Sequence, residues 1–331
     1  MKKILKTVSL LLLLTIGVLT YTGIYFDIPR EKLETKYATG ASQFLDLPDG
    51  ARIHFRDEGE VNKPVIVLLH GFNGSLLNFE RLVPLLANDF RLISLDLPGF
   101  GLTGAIPSGN YTTNSYMDTV TSITNYLGIN KFSIAGNSMG GGVAWRYAIE
   151  YPNKVEGLIL LASSGVMTRE DRDRFEQRKD NSPIVWRLMG SSIIKKTLIY
   201  YTPKFFATQG LKTSVFNQEL ATEEYARQFH DLILLEGSRK AILSMGFGSR
   251  DRMYGPEIFK KIAAPTLVIH GKEDNIIGVE SSESFEKNIK HVEVKVYLET
   301  GHLPMYEDPK RTANDIIKFL NIKLNNSRPS E

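Results

Sequence analysis

A serine set between glycines at the end of an apolar run is the most reactive arrangement in this chain. Gly136-Asn-Ser138-Met-Gly140 follows Lys131-Phe-Ser-Ile-Ala135 directly and opens a helical stretch, Gly140 to Glu150. A strand–turn–helix junction this tight tolerates only small residues around the serine and holds its hydroxyl in the open, as a nucleophile elbow does. Serine is a poor nucleophile until a base takes its proton. Of the six histidines, only His302 falls in a loop just past a late strand, here the run Val292 to Leu298. That imidazole needs a carboxylate to fix its tautomer and stabilise its charged form. Asp274, in Gly271-Lys-Glu-Asp274 after the strand ending at Ile269, takes this part. Glu273 beside it then points elsewhere. The order Ser138, Asp274, His302 is the one a strand-based elbow architecture uses.

The same chemistry requires two backbone N–H groups aimed at the developing oxyanion. One is expected from Met139, directly after the serine at a helix N-terminus. The other is expected from Phe72, in the loop His70-Gly71-Phe72-Asn73-Gly74 after the first buried strand. His70 reads as a hydrogen-bonding residue of that loop rather than an acid or base. The chain has no cysteine, so thiol nucleophiles, thiolate zinc sites and disulfides are excluded.

Elements that could position these residues recur at a regular rhythm. Phe44 to Leu47 and Arg52 to Arg56 alternate around Pro48-Asp-Gly50, a hairpin signal. Buried strands follow at 64–69, 91–95, 131–135 and 155–161, with helical spacing at 76–86, 114–127 and 140–150. The alternation stops near Ser164 and resumes at 265–269 and 292–298, before a closing helix from Pro309 to about Leu324. This predicts an α/β fold: a mostly parallel, doubly wound sheet with its site at the strand C-termini. The core is expected over 42–164 and 263–324, with a helical insertion over 165–262 and a polar tail at 325–331. Within the insertion, 184–198 and 222–235 have helical spacing.

Taken together, His70-Gly71, Asp96-Leu-Pro-Gly-Phe-Gly101, the elbow, Gly271-Lys-Glu-Asp274 and Gly301-His302 resemble the α/β-hydrolase superfamily. The resemblance covers residues 42 to 324. It implies that the insertion is a cap over the active site and that no cofactor or metal is needed. A serine nucleophile speaks against the epoxide hydrolase and haloalkane dehalogenase branches, which carry aspartate there. Gly136-Asn-Ser-Met-Gly-Gly141 is similar to bacterial esterases and lipases and also to meta-cleavage-product hydrolases, which break a C–C bond beside a carbonyl. The second group pairs its oxyanion loop with a Gly-Pro-Gly type sequence, which Phe72-Asn-Gly-Ser-Leu76 is not. Prolyl aminopeptidases carry cap carboxylates for a substrate amine, for which Glu219, Glu223, Glu224 and Glu236 are candidates. A non-catalytic binding protein of this fold predicts a lost triad member, and all three are present. The expectation is a serine hydrolase of carboxylic esters, esterase- or lipase-like.

Composition adds the cellular setting. Forty Lys and Arg against 37 Asp and Glu leave a formal charge of +3 over 331 residues, too weak to suggest nucleic acid as a partner. Thr7 to Phe26 is a run of 20 residues without a charge, preceded by Lys2, Lys3 and Lys6. As a helix it spans about 30 Å, a bilayer core, and the lysines keep its N-terminus cytoplasmic. Residues 1–26 are therefore expected to be a signal anchor, with 27–41 a polar tether. The catalytic domain then lies on the periplasmic or extracellular side, and is secreted if the segment is cleaved as a signal peptide. Asn181 to Gln218 holds no Asp or Glu but carries Arg187, Lys195, Lys196, Lys204 and Lys212 among Trp186, Tyr200, Tyr201, Phe205 and Phe206. Such a surface suits either a membrane interface or an ordinary cap lining an acyl pocket. Oligomeric state and acyl length leave no mark in the sequence.

Overall fold

Runs such as Val65-Ile-Val-Leu-Leu69 present apolar side chains on both sides of a strand and demand cover on both faces. The computed structural model describes residues 2–166, 199–245 and 255–326. Its strands are β1 (Ser42–Asp46), β2 (Arg52–Glu58), β3 (Val65–Leu69), β4 (Arg91–Leu95), β5 (Phe132–Asn137), β6 (Val155–Leu161), β7 (Thr266–Gly271) and β8 (Val292–Tyr297). They form one sheet in the order β1-β2-β4-β3-β5-β6-β7-β8. β2 pairs antiparallel with β1 and β4, and every later pairing is parallel.

Alternation along each strand divides the core in two. Val67, Leu69, Ile134, Leu158 and Leu160 pack on one face with Val120, Ile123, Trp145 and Phe259. Ile66, Leu68, Ala135, Ile159 and Leu161 pack on the other with Leu82, Leu86, Ile316 and Leu320. The helices involved include α3 (Val83–Leu86), α4 (Thr113–Tyr126), α5 (Met139–Glu150) and α11 (Pro309–Asn326). The segment expected as one helix over 76–86 is broken into a 3-10 turn, Leu76–Phe79, and α3. Pro84, lacking an N–H, fits the first turn of a new helix better than the middle of an old one.

Ahead of the sheet, α1 (Lys2–Gly23) contains a 20-residue stretch, Ile4–Gly23, of mean hydropathy 2.0, long and apolar enough to cross a membrane. Between β6 and β7 the described residues form α6 (Lys204–Ser214), α7 (Glu223–Ile233) and α8 (Ser238–Ser244). The helix expected over 184–198, with Trp186, Arg187, Lys195 and Lys196, lies outside the described residues, as does most of the polar tail. After β7 come α9 (Glu280–Asn288) and α10 (Pro304–Glu307).

Residues 27–41 do not form the tether expected of them. They carry α2 (Arg30–Tyr37), whose Leu33 is 2% exposed in a cluster with Leu76, Leu77, Leu102, Leu232 and Leu235. Arg30 donates to the Thr103 carbonyl at 3.1 Å, and Tyr37 Oη donates to Asp231 at 2.8 Å. The segment reads as polar because one leucine per two turns is enough to seat so short a helix. Leu33→Ala is expected to cost about 2–4 kcal/mol, read as a fall in urea midpoint at unchanged m. A loss near zero would restore the tether.

Candidate active site

The parallel arrangement brings the C-terminal ends of β3, β5, β6, β7 and β8 to one edge, and the elbow stands there. Ser138 joins β5 to α5 at φ 54°, ψ −118°, a conformation costing about 1–3 kcal/mol for a residue with a side chain. It is held by Ser138 N donating to the Leu161 carbonyl at 3.1 Å, and by its own carbonyl accepting from Gly142 N at 3.1 Å and Ser164 N at 3.0 Å. A Cβ at Gly136 would sit 2.3 Å from the Gly140 carbonyl oxygen, and one at Gly140 2.3 Å from that of Leu69. Any side chain at either position would force the serine out of place. Ser138 itself remains partly exposed.

His302 follows β8. Its Nδ1 lies 2.7 Å from Asp274 Oδ2, and the two side chains are 6% and 0% exposed. A carboxylate can only accept, so Nδ1 carries the hydrogen and Nε2 presents a lone pair. Asp274 Oδ1 accepts from Ile276 N at 2.8 Å and Ile277 N at 2.9 Å. His270 Nε2, which donates to the Ile277 carbonyl at 2.9 Å, lies 3.3 Å from Asp274 Oδ2. Burial alone would push the Asp274 carboxyl up. The hydrogen bonds from His270 and His302, the His302 charge and the Ile277 N–H outweigh it and hold the group well below the usual carboxylate range. Asp274 is thereby kept ionised.

The loop carrying His302 is tied down from two directions. Asn137 Nδ2 donates to the carbonyls of His302 and Leu161, both at 3.0 Å, and so links the residue before the serine to the histidine. His302 N donates to the Ser214 carbonyl at 2.7 Å, at the end of α6. Glu307 accepts from Gly301 N at 2.8 Å and Phe216 N at 2.7 Å, joining the same loop to the segment after α6. Among the described residues Ser138 Oγ makes no hydrogen bond. Contacts of this kind tighten when substrate binds.

Met139 is the first residue of α5, where a backbone N–H has no partner within the helix. The loop with Phe72 lies against the serine: a Cβ on Gly71 would stand 3.0 Å from Ser138 Cβ. The Phe72 ring packs edge-on to Phe100 with centroids 5.3 Å apart. His70 is buried, its Nε2 accepting from Leu97 N at 3.0 Å and its Nδ1–H donating to the Gly71 carbonyl at 2.7 Å. Burial lowers its pKa and leaves it a neutral brace. Glu273 turns away and accepts from Thr300 N at 3.1 Å. Asp96 accepts from Leu76 N and Leu102 N, both at 2.7 Å, and pairs with buried His54, so its turn is architectural. Glu219, Glu223, Glu224 and Glu236 are all exposed.

Sequence reasoning did not single out Asn137, His270 or Glu307. Asn137 lies inside the elbow beside the serine, and His270 lies within strand β7. Its spacing of four from Asp274 was the available signal.

A family model described as alpha/beta hydrolase fold matches residues 64–182. Over 306 residues the chain is 27% identical to 2-hydroxy-6-oxo-6-(2'-aminophenyl)hexa-2,4-dienoic acid hydrolase of Metapseudomonas resinovorans, covering 90% of this chain and 96% of that protein. It is 27% identical over 264 residues to monoacylglycerol lipase ABHD6 of Homo sapiens, covering 78% and 76% of the two chains. The crystal structure of a membrane phospholipase A, described as a bacterial virulence factor, superposes with a TM-score of 0.70 at 24% identity, over 98% of this chain and all of the other. The chain has the α/β-hydrolase fold, and the relatives named here are hydrolases.

Proposed function

We propose that the protein is a membrane-anchored serine hydrolase of carboxylic esters, with Ser138, His302 and Asp274 as its catalytic triad. The observation that carries this reading is a strained serine at the same sheet edge as a buried, tautomer-fixed histidine–aspartate pair. His302 Nε2 takes the Ser138 proton as the hydroxyl oxygen attacks the ester carbonyl. The N–H groups of Phe72 and Met139 hold the oxyanion. As the tetrahedral intermediate collapses, His302 passes the proton to the departing alcohol. Water, deprotonated by the same nitrogen, then cleaves the acyl-enzyme and restores Ser138. No metal or cofactor takes part.

The name of the human relative supports ester hydrolysis, and that of the Metapseudomonas relative supports hydrolysis of a C–C bond. We favour the ester because the oxyanion loop lacks the Gly-Pro-Gly type sequence and an apolar helix precedes the domain. By the same helix the catalytic domain sits on the exported side of the membrane.

A series of p-nitrophenyl esters of increasing acyl length, with a meta-cleavage dienone as control, separates the two. Turnover of at least one ester with an inert dienone is the expected result. Preference for the dienone would overturn it.

A further inference from the structure

The aromatic and basic face of the cap is joined directly to the end of α1. Ile24 forms an antiparallel bridge with Tyr201: Tyr25 N donates to the Tyr200 carbonyl at 3.1 Å, and Thr202 N to that of Gly23 at 2.8 Å. Gly23 is packed so closely on the Tyr201 ring that a Cβ would fall 2.0 Å from Cε2. Four residues further, Ile28 N donates to the Leu234 carbonyl at 2.7 Å and Glu236 N to that of Ile28 at 3.1 Å. Arg239, 3% exposed as a side chain, pairs with Asp27 and donates to the Tyr25 carbonyl at 2.8 Å. Hydrogen bonds and a buried cation thus fix the cap to the point where the apolar helix ends.

Around that point large apolar side chains stand in the open. Tyr21 and Phe26 are 89% and 79% exposed, and Phe205, in the first turn of α6, is 66% exposed. Tyr200 and Phe206 are exposed beside them. Lys204 lies 6.0 Å from the centre of the Tyr25 ring, and residues 199–218 contain no acid. Aromatic rings with lysine and without carboxylates match the boundary between headgroups and acyl chains. From there α6 runs 11 residues, about 16 Å, and its last residue accepts the hydrogen bond from His302 N.

We infer that Tyr200, Phe205 and Phe206, with Tyr21 and Phe26, form a surface that docks into the bilayer holding α1, so that α6 spans from lipid to the catalytic loop. The inference rests on the anchor reading above and deepens it: the substrate is a lipid ester drawn from that bilayer.

The absence of cysteine allows single labels without further changes. Full-length Leu12→Cys, Phe205→Cys, Phe206→Cys and Val61→Cys variants would carry an environment-sensitive nitrobenzoxadiazole label in phosphatidylcholine–phosphatidylglycerol vesicles. Val61 lies ahead of β3, at the sheet end away from the site. Labels at 205 and 206 should shift to the blue and be quenched by spin-labelled lipid, as at 12 but not at 61. Labels at 205 and 206 that behave like 61 while 12 is quenched would overturn the docking and leave the anchor standing. An unquenched label at 12 would overturn the anchor itself. Replacing both Phe205 and Phe206 with Glu should lower hydrolysis of a vesicle-borne long-chain ester at least about tenfold, with a soluble short-chain ester unaffected. Equal loss on both esters would place the two residues in folding rather than docking.

Discussion

Replacing Ser138 with alanine is expected to lower kcat for p-nitrophenyl ester hydrolysis on the order of a millionfold. The oxygen is the only group in the elbow that can form the acyl-enzyme, and no thiol exists anywhere in the chain to replace it. What remains would be the polarising effect of the oxyanion donors on attack by water, on the order of a thousandfold over solution. Alanine keeps a Cβ at φ 54°, so the strain of the turn is unchanged and the variant should melt close to the parent. Turnover within tenfold of the parent would remove Ser138 from the mechanism. A collapsed melting temperature would instead show that its hydroxyl holds the elbow together.

Asp274→Asn should cost on the order of ten thousandfold in kcat. The amide can turn its N–H toward His302 Nδ1, which moves the imidazole hydrogen onto Nε2, where the serine proton must go. Ile276 N and Ile277 N already donate to Oδ1, so the amide must turn its N–H₂ to the Oδ2 side, toward His302. His270 adds to this, because its Nε2 donor beside Oδ2 would then face a second donor. The same substitution has a signature in acid. The folded carboxyl titrates below the unfolded value of about 3.9, so its contribution to stability is complete above about pH 4 and is lost as the pH falls further. The parent should lose stability on that limb and the asparagine variant should lose less. Parallel acid limbs would mean that Asp274 is not held ionised by its partners, and an unchanged kcat would take it out of the triad.

Elements rich in local pattern were legible in the chain, and elements seated by distant partners were not. The strands stood out because burial on both faces leaves nearly unbroken apolar runs. The elbow stood out because Gly136 must clear Gly140 four residues on, a local constraint, whereas Gly140 itself answers to Leu69 on the neighbouring strand. By contrast α2 looks polar on its own, and only Leu76, Leu77, Leu102, Leu232 and Leu235, brought together by the fold, give Leu33 a place to go. His270 looks like any strand histidine until Asp274 folds back beside it.

The sequence by itself determined the fold class, a family resemblance and the candidate chemistry: a serine, an acid and a histidine in a fixed order, each after a strand. Periodicity and tight-turn sterics are local, and a single chain displays them. Only the tertiary structure decided how the loop carrying His302 is held, through Asn137 from the elbow and through Glu307, which joins it to the segment after α6. It also turned a supposed tether into the joint between an apolar helix and the helices between β6 and β7. These contacts link residues up to 214 positions apart. Nothing in the spacing of either partner encodes such a pair, because it forms only when the sheet has brought both to one edge.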